Sequence, residues 1–245
     1  IRAQGGTNSG NGGFAEVSGK ENLLFRGTVD LTAENGNAGN LLLDPENIRI
    51  VDGSGGTNDN ELGDNGISAQ ISPGETFTIS ETALEGLALT TGRIALAATN
   101  DIIIENLSDN ELDLLGDRSN PAEDRRISFN AGNNFLMQDP ADTILAASNL
   151  NIITGNLLTL GNIEITPRVV DGRGGLLLSL QGNEIELDGD LSRSNVLDAQ
   201  MTSGFLGGIR LIPNSDEQPI YIGGVDNHTD EVLDISADDI SSIQD

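Results

Sequence analysis

The residues of this chain best suited to holding a metal ion sit on one glycine-rich stretch, Asp52-Gly53-Ser54-Gly55-Gly56-Thr57-Asn58-Asp59-Asn60-Glu61-Leu62-Gly63-Asp64. Asp52, Asp59, Glu61 and Asp64 would offer carboxylate oxygens, the hard donors that calcium selects. The stretch occurs once, and it lacks the acidic spacing and closing Glu of an EF-hand loop. It reads first as a solvated acidic loop, with no metal assigned and calcium as the alternative. A second chemistry, sugar cleavage, would use two carboxylates as acid and base. Asp188-Gly189-Asp190 and Asp238-Asp239 have the residue types for it. Such sites commonly add aromatic platforms for the rings, yet the chain has 6 Phe, 1 Tyr and 0 Trp. Lyase chemistry also wants Arg or Lys beside a calcium cluster, whereas Arg168, Arg173 and Arg193 are scattered through expected loops. Both carboxylate pairs therefore read as solvated turns, and no residue is assigned a catalytic role.

His228 is the only histidine and there is no cysteine, so a zinc site has too few ligands. A Ser–His–Asp triad would have to use His228, and no nucleophile elbow is present. No glycine loop followed by Lys is present to cradle a phosphate. Asn106-Leu107-Ser108 and Asn227-His228-Thr229 match the glycosylation sequon, a pattern that chance produces often.

The elements that would position these residues are short. Apolar runs of a few residues alternate with Gly, Asn and Asp, which tolerate positive φ or cap the backbone locally. In Asn183-Glu184-Ile185-Glu186-Leu187-Asp188 the polar and apolar residues alternate strictly, giving one dry and one wet face. Arg93 to Ala98 and Arg126 to Asn130 do likewise. Ile127, Ile144, Ile163, Ile185 and Ile209 each sit in such a run at roughly 20-residue spacing, the expected length of one coil of a solenoid. Gly-Asn pairs at 10–11, 36–37, 39–40, 132–133, 155–156, 161–162 and 182–183 mark expected corners. Stacked coils would bring these Asn side chains into register, where their amides can bond along a column.

Two segments break the strand rhythm in the same way. Ile79-Ser80 with Leu84 and Leu87 has the spacing of Ile235-Ser236 with Ile240 and Ile243. Thr82-Ala83-Leu84-Glu85 and Ser236-Ala237-Asp238-Asp239 read as helix starts, so a short helical turn is expected at each. Their apolar pairs should pack on a coil, and module boundaries are expected near 80 and 240. Loops are expected over 52–75, 115–125, 167–175 and 191–208.

Composition narrows the partners. The net charge of −27 repels nucleic-acid phosphates and anionic lipid, so neither is an expected partner. Hydrophobic residues are 36% of the chain and fall in regular clusters, which argues against disorder. No apolar run is long enough to span a membrane.

Gly12-Gly13-Phe14-Ala15-Glu16-Val17-Ser18-Gly19, followed by Leu42-Leu43-Asp44-Pro45-Glu46-Asn47-Ile48, resembles the paired motifs of filamentous-haemagglutinin-like exoproteins, surface adhesins exported by two-partner secretion. Ile79 to Leu89 and Ile94 to Leu107 resemble the continuation in cyanobacterial members. The resemblance is close over roughly the first half of the chain. It implies a single right-handed parallel β-helix over residues 1–245, all-β with irregular loops: a signature region 1–51, an acidic loop 52–75 and further coils over 76–245. It also implies a non-catalytic adhesive role and a secreted or cell-surface location on a Gram-negative bacterium. The implied partners are surface glycans or proteins of a host or neighbouring cell, and an outer-membrane transporter during export. The family's secretion domain has no counterpart here, so an internal segment is expected. A pectate-lyase-like β-helix enzyme and a calcium-stabilised module are the alternatives. Stacked strands would make a body on the order of 50 Å long, with Ile127 and Ile163 facing inward.

Overall fold

The computed structural model describes residues 1–18, 30–37, 39–59, 76–90, 93–116, 126–147, 149–166, 177–193, 208–223 and 232–243. Strands dominate, and every strand pairing is parallel. The chain opens with β1 (Phe14–Ser18), β2 (Asn40–Asp44), β3 (Asn47–Val51) and β4 (Thr76–Ser80), then α1 (Glu81–Thr90). A regular round follows: β5 (Arg93–Ala98), β6 (Ile102–Ile104) and β7 (Glu111–Leu114). The next rounds are β8 (Arg126–Ala131), β9 (Phe135–Met137), β10 (Thr143–Ala147), and then β11 (Asn149–Thr154), β12 (Leu157–Leu160), β13 (Asn162–Thr166). They are succeeded by β14 (Leu177–Gly182), β15 (Glu184–Leu187) and β16 (Leu191–Arg193). The described chain closes with β17 (Gly208–Pro213), β18 (Ile220–Ile222), β19 (Leu233–Ile235) and α2 (Ala237–Ser241). From β5 to β16 each round adds one strand to each of three sheets, ordered β1-β2-β5-β8-β11-β14-β17, β15-β12-β9-β6-β3-β4 and β16-β13-β10-β7, while β18 and β19 pair in a separate two-stranded sheet.

Alternation decides which side chains are buried. β12 and β15 both alternate half-buried and buried residues, as period-two side-chain geometry requires. Register then stacks the buried positions. Ile94, Ile127, Leu150 and Leu178 form one line across the seven-stranded sheet, and Ile48, Ile102, Phe135, Leu158 and Ile185 form another across the six-stranded one. Leu112, Ile144, Ile163 and Leu191 make the line of the four-stranded sheet. All of these residues are buried in one cluster, where the Phe129 and Phe135 rings meet at 5.3 Å. Removing that apolar surface from water, at about 25 cal/mol per Å², is what offsets the chain entropy of so many short strands.

The structure corrects several expectations. The five isoleucines are not one repeated position. Ile127 and Ile209 lie in the seven-stranded sheet, Ile185 in the six-stranded one, and Ile144 and Ile163 in the four-stranded one. Register partners lie 33 residues apart at Arg93 and Arg126, 23 at Ser128 and Asn151 and 28 at Asn149 and Leu177, but 19 at Ile144 and Ile163, so the length of a round varies and mostly exceeds the expected 20. The apolar signal recurs once per strand, and three strands share a round. Leu191–Arg193, expected in a loop, is β16. Phe14, in the first of the two paired motifs, is 59% exposed, while Ala15 beside it is buried.

The helices close sheet edges. α1 has 10 residues and packs on β7 and β4, at the point where the four-stranded sheet ends. Its cap is Ser80, whose Oγ accepts from the Ala83 N–H at 3.2 Å, two residues before the expected Thr82. Leu84 and Leu87 are buried as expected. α2 has the expected cap at Ser236, in a full capping box with Asp239. Its Ile240 and Ile243 are not packed away, however, being 45% and 39% exposed. Asp239 takes their place as the buried side chain. Leu23, Leu24, Phe25 and Val29 of the signature region lie outside the described residues.

Candidate functional site

The strands of the six-stranded sheet begin at one line of turns and end at another. At the beginning, after β5, β8, β11 and β14, the chain carries Asn100, Asn133, Asn156 and Asn183. Their backbones bond in sequence: the Asn133 N–H to the Asn100 carbonyl at 2.8 Å, Asn156 to Asn133 at 2.8 Å, and Asn183 to Asn156 at 2.9 Å. Side-chain amides reach the preceding round as well. Asn100 Nδ2 donates to Asn47 Oδ1 at 2.8 Å, Asn156 to Asn134 Oδ1 at 3.0 Å, and Asn214 to Asn183 Oδ1 at 3.1 Å. The expected amide column therefore forms at this corner. It is close-packed: a Cβ on Gly155 would lie 2.0 Å from the Gly132 carbonyl oxygen, and one on Gly132 2.1 Å from that of Thr99. Asn162 is at the opposite corner, and Asn11 accepts from the Asn37 N–H at 3.0 Å near the N-terminus.

The line where those strands end is acidic. Asp52 follows β3, Asp109 follows β6, Asp139 and Asp142 follow β9, and Asp188 and Asp190 follow β15. Glu81 and Glu85 of α1 join this line from the side. Carboxylates only accept, so each must find a backbone or amide donor. Asp52 Oδ1 accepts from the Ser108 N–H at 2.6 Å, Asp142 Oδ2 from Leu107 at 3.1 Å and Asp109 Oδ1 from Glu111 at 3.0 Å. Asp139 accepts from the Ala141 N–H at 2.9 Å and from the Asn106 amide. Glu81 Oε1 accepts from Gly53 at 3.0 Å, and Glu85 Oε1 accepts from Asp113 of β7 at 2.9 Å. At the other end of the fold, Asp239 Oδ1 accepts from Leu187 of β15 at 2.9 Å. Helical carboxylates thus occupy edge N–H groups that the next strand would otherwise take, one way of closing an open sheet.

No protein-family model, curated protein or solved structure matches this chain. The electrostatics of the acidic line come from its own geometry. Burial pushes the Glu81, Glu85 and Asp142 carboxyls above the ordinary carboxylate range, and neighbouring carboxylates push the same way against the backbone N–H groups. Asp52 goes the other way, held below its ordinary value by the Ser108 N–H and hydroxyl. Asp30 is also lowered, chiefly by the Thr32 hydroxyl.

Of the four calcium candidates the structure describes Asp52 and Asp59, and both accept from backbone N–H groups. Asp52 is spent on Ser108, and Asp59 bridges the Gly56 and Ser80 N–H groups at 3.0 and 2.6 Å. Glu61 and Asp64 lie outside the described residues. Among the described residues, no group of three or more His, Cys, Asp or Glu is arranged to hold a metal ion. The expected pair Asp238-Asp239 is divided, since Asp238 is exposed and Asp239 is a buried cap. Asp188 and Asp190 are exposed turn residues. His228, Arg168 and Arg173 are outside the described residues, and Arg193 lies on β16. Asn106 of the first sequon bonds Asp139, and its Leu107 is buried. No helix among the described residues is long and apolar enough to cross a membrane. The acidic line itself escaped sequence reading. Its only signal is an acid following β3, β6, β9 and β15 of one sheet (β12 is followed by Gly161 and Asn162), which cannot be seen until the strands are sorted into sheets.

Proposed function

We propose that the chain is a right-handed parallel β-helix serving as a structural, adhesive segment of a secreted filamentous-haemagglutinin-like surface protein, without turnover. The observation that carries this reading is the strand order, in which the successive strands β5 to β16 visit three all-parallel sheets in rotation. Right-handedness follows from the general hand of parallel crossovers. The two motifs in Gly12–Ile48 supply the family. Several acids, Asp52, Asp59, Glu85 and Asp239 among them, accept from backbone N–H groups in ways that build the fold, which favours a stalk over a catalyst. Adhesion would then come from extension and repeated weak contacts with glycans or proteins of another cell. One apolar strip suited to such contact is β18, where Ile220, Tyr221 and Ile222 are 46%, 60% and 72% exposed. Small-angle scattering tests the stalk: a rod profile is expected, and a compact globule would contradict it. Incubation with uronic-acid polymers tests the enzyme alternative, which new reducing ends or unsaturated products would favour. Unchanged melting in chelator is expected if calcium plays no part.

A further inference from the structure

Two carboxyl groups of the acidic line are each left with one oxygen unserved. Asp142, in the turn between β9 and β10, is 0% exposed, and Glu81, the first residue of α1, is 6% exposed. Each gives one oxygen to a backbone N–H, from Leu107 and Gly53 respectively. The others, Asp142 Oδ1 and Glu81 Oε2, are buried and have no hydrogen-bond partner. A buried ionised oxygen without a donor carries its full desolvation penalty. The surroundings add to that penalty. The negative charges of Asp139, Asp109 and Asp52 act on Asp142, and those of Asp109, Asp52 and Glu85 on Glu81. Glu85 in turn feels the charges of Asp113, Asp109 and Glu111. Arg49 of β3 is paired with Glu105.

We propose that Glu81 and Asp142 form a proton-binding device, which holds α1 and the β9–β10 turn more firmly on the neighbouring strands at mild acidity than at neutral pH. Each carboxylate takes up one proton to become a neutral acid, and the unserved oxygen no longer bears buried charge. Burial, followed by the surrounding acids, drives both groups toward the protonated form. Two forces oppose them. The donated N–H groups favour the ionised state, and negative charge at Glu81 is favoured at a helix N-terminus. Neither provides a donor for the buried second oxygen. The sign follows from linkage. A carboxyl raised in the fold contributes stability that is complete below its unfolded value and lost as pH rises through its folded value.

Chemical denaturation between pH 4.5 and 7.5, run in about 1 M salt where the Debye length is about 3 Å, separates this effect from general surface repulsion. The wild-type midpoint should fall as pH rises. The double variant Glu81→Gln with Asp142→Asn should flatten that slope and raise the midpoint at pH 7. Carboxyl-carbon NMR titration of the wild type gives a reading that does not depend on the variant folding, and both groups should titrate above ordinary Glu and Asp values. Titration at or below those values would overturn the proposal. So would a wild-type midpoint that is flat or rises with pH, or a slope that the double variant leaves unchanged.

Discussion

Where the strands of the six-stranded sheet begin, Asn47, Asn100, Asn133, Asn134, Asn156 and Asn183 are stacked; where they end, Asp52, Asp109, Asp139 and Asp142 are. The two side chains have nearly the same shape. An amide both donates and accepts, so a column of Asn can hand bonds from one round to the next, as Asn100 to Asn47 and Asn156 to Asn134 do. A carboxylate only accepts, so a column of Asp repels itself and must draw donors from the backbone. The Asn corner supplies its own donors, and they also serve the one carboxylate set among them, Asp101. The Asp corner is held by what surrounds it, and two of its oxygens go without partners.

The largest effect should come from striking the core that both corners enclose. Ile163→Asp and Ile127→Asp each place a charge where the native residue is 1% and 3% exposed, and either should cost about 4–5 kcal/mol or prevent folding. Circular dichroism and denaturant titration would measure this. Next is the amide corner's packing: Gly155→Ala sets a methyl against the Gly132 carbonyl and should cost about 1–3 kcal/mol. Asn133→Asp tests the difference between the corners themselves. Asn133 Nδ2 donates to Asp101 Oδ1 at 2.9 Å, so the variant replaces that bond with two facing carboxylates. A loss of about 1–2 kcal/mol at pH 7, partly restored on acidification, would show that an acid imports the behaviour of the other corner.

Within the acidic line, Asp52 should act with the opposite sign to Asp142. Because Ser108 lowers the Asp52 carboxyl, its contribution is present above the ordinary value and lost as pH falls through the folded one. Asp52→Asn should therefore remove an acid-side loss of stability, visible as a flatter melting profile below about pH 4. The smallest effect is expected at the surface pair Arg49–Glu105. Arg49→Ala should change stability by no more than about 1 kcal/mol, with the loss shrinking in high salt.

How much of this was legible in the sequence depended on the range of the signal. Short strands, Gly-Asn corners and the two helical breaks were readable because alternation, turn chemistry and capping act over a few residues. The amide column was readable in kind from the recurring Gly-Asn corners, although turn chemistry alone also favours Asn there. The length of a round was not, because equal apolar runs such as those at Ile144 and Ile185 mark different sheets. Nor was the acidic line, which joins Glu81 to Asp109 and Asp52 across the gaps between rounds. Alternation also decides the first motif, where it turns Phe14 outward and buries Ala15.

The stacking of parallel rounds underlies both corners, and the absence of native cysteine makes it directly measurable. Ser128 of β8 and Asn151 of β11 are register partners with side chains 3.5 Å apart, while Ser179 lies one strand further on. Under mild oxidation, Ser128→Cys with Asn151→Cys should cross-link quickly in the folded protein, whereas Ser128→Cys with Ser179→Cys, about 10 Å apart across two strand spacings, should not. Equal cross-linking of both pairs, or none of the first, would contradict the stacked parallel register.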